Sequence, residues 1–209
     1  MLELSVYIPE LITVSVIAIF MAISPGADFV MITRNSISYS RKAGLYSVLG
    51  VSAAVWIHVA YSIAGLAVII ANSILLFSII KYCGAAYLIY MGWKTFKAQA
   101  NMDIEQASGE LSNLAAFRNG FVTNALNPKT TIFFLSIFTQ VVDQNTPIAM
   151  QIIYGSVISL AHLLWFSAVA MFLTQPRLLK VFQNSKQVIE KIVGVVLVGF
   201  GVKIAAHSN

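Results

Sequence analysis

The sequence predicts an all-α transmembrane protein, a six-helix bundle of two inverted three-helix repeats with broken helices in spans 1 and 4. Three observations predict it. Long stretches carry no charge, the cations gather in alternate connections, and a proline beside polar residues in the first span recurs in the fourth.

Of 209 residues, 58% are apolar and 10% are charged, against roughly 25% charged in an ordinary soluble domain. Residues 43–80 contain no Asp, Glu, Lys or Arg, and neither do residues 144–176. Each run exceeds the roughly 20 residues that cross a bilayer. The first ten residues hold Glu3 and Glu10 and no cation, unlike a secretory signal, so the first apolar segment is expected to stay. Cys83 is the single cysteine, which excludes an intrachain disulfide and a thiolate metal cluster; it is expected to be a small buried packing residue. The net charge of +5 does not point to nucleic acid, because the basic residues flank apolar spans and form no stripe with aromatics.

Six spans are expected, near residues 11–33, 45–71, 74–93, 117–142, 148–174 and 188–206. Asn72 and Ser73 split the long second run into a hairpin, and residues 143–147 do the same between the fourth and fifth spans. The other three connections hold the cations: Arg34, Arg41 and Lys42; Lys94, Lys97 and Arg118; and Arg177, Lys180, Lys186 and Lys191. The positive-inside rule puts these in the cytoplasm and both termini on the outer side of the inner membrane. Residues 98–115 read as a polar linker between a first repeat (1–97) and a second (116–209). Pro25 precedes His58 much as Pro128 precedes His162, a Trp lies near each His (Trp56, Trp165), and Lys81 with Gly84 is echoed by Lys191 with Gly194. Three spans per half make the repeat inverted, as in many secondary transporters, where one half would rock against the other.

Ser24, Pro25, Gly26 and Asp28 interrupt the first span; Asn124, Asn127, Pro128 and Lys129 interrupt the fourth. A proline removes a backbone donor and clashes with the preceding turn, and in lipid such a break survives only where protein or a cavity covers it. Helical rise from Arg34 and Arg118 places both breaks roughly 14 to 15 Å deep, near the middle of a core of about 30 Å. Freed N–H groups suit a carboxylate; exposed carbonyls suit an ammonium group. Against this stands an ordinary pair of proline kinks satisfied by Ser24 and Asn127. Asp28 is either a helix cap or an ammonium ligand and proton carrier. His58 and His162, mid-span in matched places, are either core histidines or proton-coupling groups. Lys129 is either a snorkelling cation or the partner of a carboxylate. Gly50 with Ala54, and Ala60 with Ala64, are small-residue spacings that suggest close helix packing.

Three segments resemble motifs of the LysE/RhtB family of amino-acid exporters. Residues 24–29 (Ser-Pro-Gly-Ala-Asp-Phe) resemble its first-span Ser-Pro-Gly-Pro-Asp-Phe, residues 127–129 match its Asn-Pro-Lys, and residues 84–92 are similar to its third-span Gly-Ala-x-Tyr-Leu-x-Tyr-Leu-Gly. Ala27 departs from the family's second proline. The resemblance implies proton-driven efflux of a small zwitterionic amino acid, with protons and the bilayer as further partners and no cofactor. The carboxylate would lie near residues 127–129 and the ammonium near Asp28. A divalent metal-cation exporter using Asp28, His58, His162, Met21 and Met31 is the main alternative. An intramembrane enzyme lacks any nucleophile with its base, so no catalytic residues are assigned. A membrane subunit with no solute of its own would need no polar midplane. A homo-oligomer is left open.

Overall fold

The computed structural model describes residues 4–97, 109–142, 145–172 and 174–206. Among them the chain is all-helical, with a 3-10 turn (Leu4–Tyr7) and eight α-helices: α1 (Ile8–Ile23), α2 (Ala27–Ser38), α3 (Arg41–Asn72), α4 (Ile74–Phe96), α5 (Asn113–Ala125), α6 (Pro128–Val141), α7 (Ile148–Phe172) and α8 (Pro176–Ala206). Four helical segments, Ser5–Ile23, Arg41–Leu66, Leu75–Phe96 and Ile148–Phe172, are long and apolar enough to cross a membrane.

Local chemistry sets the helix ends. Ser40, Ser73 and Ser112 stand before α3, α4 and α5, and their side chains accept from the backbone N–H of Ala43, Leu76 and Ala115, satisfying donors that a first turn leaves orphaned. α1 ends at Ser24, which precedes proline and is extended (φ −61°, ψ 115°), as the proline ring forces on its predecessor. α6 starts with Pro128 in its first turn and Asn127 as its cap, where a missing N–H costs nothing.

The long helix α3 packs along α5 and α7, and α4 packs along α8 and against α6, while α1 lies on α7. The first half of the chain is therefore interleaved with the second. One apolar core gathers Ile17, Val55, Leu88, Phe134, Tyr154 and Leu197 from six helices. A second, around Phe29, Ile32, Val51, Phe166 and Phe182, is closed by Phe29 stacked on Phe182 with ring centroids 4.9 Å apart. Leu49, Leu75, Leu160, Leu164 and Val195 point outward, an apolar exterior that suits lipid and would aggregate in water.

Two helix contacts are made backbone to backbone. A Cβ on Gly120 of α5 would strike the Ser47 carbonyl of α3, and one on Gly50 would strike the Phe117 carbonyl. Gly92 of α4 and Gly194 of α8 are reciprocal in the same way: each added Cβ would lie 2.6 Å from the other's carbonyl oxygen. Of the two small-residue spacings, Gly50 and Ala54 are buried, whereas Ala60 and Ala64 are exposed.

Several expectations need correction. Cys83 is exposed, not buried; α4 turns it away from the contacts its own Gly84 makes with Ser136. α8 begins at Pro176, well ahead of residue 188, so Arg177, Lys180, Lys186 and Lys191 lie on a helix and not in a connection. Nothing interrupts helical geometry between Pro176 and the apolar run that follows. α5 starts at Asn113, inside the expected linker. Residues 98–108 of that linker, with Asp143 and Gln144 of the second hairpin, lie outside the described residues.

The glycine contacts give a paired prediction. Gly120→Ala forces a methyl onto a backbone carbonyl and is expected to cost about 1–3 kcal/mol, lowering the thermal midpoint of the detergent-solubilised protein. Gly65→Ala, where an added Cβ meets nothing within 4 Å, is expected to be neutral or stabilising by up to about 1 kcal/mol. Equal midpoints for the two variants would refute the α3–α5 packing.

Candidate functional site

The two proline-containing stretches face each other. Pro128 has no N–H, so the Asn124 carbonyl, its normal partner one turn earlier, is freed. It is taken up by Asn127 N–H at 2.9 Å and by His58 Nε2 at 3.1 Å. His58 arrives from α3, and the ring stacks on Phe134 with centroids 5.3 Å apart. A carbonyl partner requires the proton on Nε2. The other nitrogen, Nδ1, is 2.7 Å from the Tyr61 hydroxyl, which also lies 3.3 Å from the Thr131 carbonyl.

Asp28 sits in the first turn of α2 and is buried. Its Oδ2 accepts from Asn124 Nδ2 at 2.9 Å and from Asn127 Nδ2 at 3.2 Å. Asn127 Oδ1 in turn accepts from Lys129 N–H at 3.0 Å, so one amide caps α6 and grips α2 together. Reversing that amide would set its oxygen against the carboxylate and its nitrogen against an N–H, which fixes its orientation. Asp28 therefore makes no cap bond to its own helix: α2 starts at Gly26 with no side-chain cap, and Asp28 Oδ1 has no hydrogen-bond partner. The carboxylate does lie at the N-terminal end of α2.

Lys129 reaches back across the break. Its Nζ donates to the Ser24 carbonyl at 3.0 Å and to Ser24 Oγ at 2.9 Å. Its amine passes over Gly26, where an added Cβ would be 3.4 Å from Nζ. Gly26 is extended (φ −165°), so the space it leaves matters here and its backbone freedom does not.

His162 comes from α7 and bonds through Nδ1 to the Ile158 carbonyl of its own helix at 2.8 Å. The residue also borders a small cavity, together with Ser24, Asp28, Asn127, Lys129 and Phe166. The cavity measures about 10 Å³, the space of roughly one water molecule. A larger chamber of about 330 Å³ lies on the other side of Lys129, lined by Pro25, Gly26, Pro128, Tyr87, Lys94 and Glu190 among others.

Every site residue expected from the sequence lines these spaces or joins the bonded chain from Tyr61 through His58, Asn124, Asp28 and Asn127 to Lys129 and Ser24. The two histidines play unlike parts, one holding a freed carbonyl and the other bordering the cavity. Among the described residues, no three His, Cys, Asp or Glu side chains group as metal ligands. Sequence reasoning missed Tyr61, Thr130 and Glu190. Tyr61 lies one helical turn after His58 and Glu190 one turn after Lys186, a spacing that puts each pair on one face. Thr130 follows Lys129 directly and its Oγ1 is 3.5 Å from Asn124 Nδ2.

Known proteins match this sequence across nearly the whole chain. Residues 19–208 match the family described as LysE type translocator. An uncharacterized membrane protein of Bacillus subtilis (strain 168), YrhP, is 38% identical over 199 residues, covering 90% of this chain and 94% of that one. The threonine efflux protein of Salmonella typhi is 31% identical over 196 residues, 92% of this chain and 95% of its own; that of Escherichia coli (strain K12) is 28% identical over 197 residues, 92% and 96%. No solved structure matches. With several apolar helices able to cross a membrane and a family match that takes in both proline stretches, the protein is a multi-pass membrane protein that belongs to the LysE type translocator family.

Proposed function

We propose that this protein exports a small amino acid or derivative across the cytoplasmic membrane in exchange for protons. The observation that carries the reading is the hydrogen-bonded bridge from Asp28 to Asn124 and Asn127. It spends the polar groups of two interrupted helices on each other in the protein interior, and it leaves one carboxylate oxygen without a partner where Asp28 and Lys129 border a shared cavity. A zwitterion fits that pair: its ammonium meets Asp28 Oδ1, and its carboxylate takes over Lys129 Nζ from the Ser24 oxygens. The threonine efflux relatives make threonine the first substrate to try.

In this reading α1 with α2, and α5 with α6, each form one interrupted span. α2, α5 and α6 have 12, 13 and 14 residues, short of the roughly 20 that cross alone. Six crossings then divide into inverted repeats over residues 1–97 and 116–209 around the linker 98–115, with both termini outside. Pro25 with Pro128, His58 with His162, and Gly92 with Gly194 keep a near-constant offset, so the reciprocal glycine contact supports the repeat better than the Gly84 match does.

Proton coupling is assigned to Asp28, His58 and His162. His58 can take a proton on Nδ1 without losing a bond, because the Tyr61 hydroxyl can turn its hydrogen from Nδ1 to the Thr131 carbonyl. A buried group that keeps its partners in both protonation states leaves no hydrogen bond unmade as it cycles.

Everted vesicles carrying the protein are expected to take up labelled threonine or another small amino acid saturably, and faster with an acid lumen. Unsaturable, gradient-independent leak for the whole amino-acid panel would sink the reading. Asp28→Asn keeps the shape but is expected to lower transport roughly 10- to 100-fold, the loss of a charge-assisted hydrogen bond, with an unchanged thermal midpoint. Tyr61→Phe is expected to abolish stimulation by the pH gradient while substrate-for-substrate exchange persists; gradient stimulation as in the wild type would remove Tyr61 from the proton path.

A further inference from the structure

The central cavity, at about 10 Å³, is too small for any amino acid in this conformation. The chamber beside it, at about 330 Å³, falls at the low end of the roughly 300–1,000 Å³ of small-ligand pockets. Gly26 and Lys129 border both, so the Lys129 side chain is the wall between them. The chamber runs from the two prolines toward Lys94 and Thr95, at the end of α4. In the topology proposed above, that end is cytoplasmic.

One group in this chamber has no part in the central network. Glu190 of α8 is 4% exposed and lines the chamber. Its Oε1 is 3.7 Å from Lys186 Nζ, a long ion pair, and its Oε2 is buried with no hydrogen-bond partner. A buried carboxylate oxygen left unpaired is costly, and the cost is offset when a cation or donor arrives. Across the chamber stand the tyrosines Tyr87 and Tyr90, and ring faces of this kind attract an ammonium group.

We infer that this chamber is a loading site, occupied by the amino acid before the central site opens, with the Glu190 carboxylate as the acceptor for its ammonium group. Lys129 Nζ serves as a hook common to both positions. It faces a carboxylate in the outer chamber, and when it lets go of Ser24 it opens the way inward, where Asp28 replaces Glu190 as ammonium acceptor. Two carboxylates on one route, one beside each chamber, let the charged end of the substrate move without an unpaired step. The inference rests on the amino-acid reading above and adds a second binding position to it.

The test compares the two faces of the membrane. In everted vesicles the wild type and Glu190→Gln are assayed for threonine entering from the cytoplasmic side; in right-side-out vesicles, for entry from the outside. Glu190→Gln is expected to raise the cytoplasmic-side KM roughly tenfold or more, as loss of a charge-assisted hydrogen bond does, with the maximal rate nearly kept and the outer-side KM unchanged. An equal change on both faces, or none, overturns the loading site while leaving export intact. Absence of saturable transport by the wild type for every amino acid tried overturns the export reading and this inference together. Should Glu190→Gln fail to fold, the full-length Cys83→Ser, Met91→Cys protein serves instead. Cytoplasmic threonine is expected to protect this chamber-lining cysteine from a water-soluble maleimide even when Asp28→Asn blocks the central site, and labelling that threonine leaves unaltered overturns the inference.

Discussion

Asn127 holds the molecule's centre together. A single amide accepts from the first turn of α6 and donates to a carboxylate in the first turn of α2, so the two interrupted stretches cannot separate without exposing a buried Asp28. Asn124 adds a second grip on the same oxygen. The Asn124 carbonyl, which Pro128 leaves without its helical donor, is reached by His58 from α3, and the Ser24 carbonyl at the end of α1 is reached by Lys129 from α6. Long-range side-chain bonds thus replace local backbone ones, and the positions of four helices become coupled at one point. In a low-dielectric interior such bonds are strong when complete and expensive when broken.

The space around this point is uneven. On one side of Lys129 there is room for about one water; on the other, room for a small solute. A carrier that binds a dipolar solute must present both signs of charge while never opening a continuous channel. In the proposed function a lysine whose amine is bonded to the far helix end does both, as ligand and as partition.

Much of this was legible in the residues. The charge-free runs and the turn and charged residues between them set most outer span limits to within a few positions, because both act locally. The proline stretches were legible as places where helices end and begin, because a missing N–H is a chemical fact that no packing can undo. Other features escaped for stated physical reasons. Glu190 follows Lys186 by one turn at the edge of a cationic segment, which reads as a solvated face until α8 is seen to begin at Pro176 and bury that turn. Cys83 carries no signal for which way α4 turns it. The histidines share a place in the pattern, yet one bonds across the bundle and the other to its own helix, a difference set by tertiary contacts that periodicity does not encode.

The two glycine seams bear on how the protein could change shape. At the crossings of α3 with α5 and of α4 with α8, main chain touches main chain, leaving no layer of side chains to act as a lubricant. Sliding at either seam would drive carbonyl oxygens into Cα atoms. Each seam also joins a helix from the beginning of the chain to one from the end. Each of the mixed pairs, α3 with α5 and α4 with α8, is therefore a stiff unit that crosses the covalent midpoint of the polypeptide.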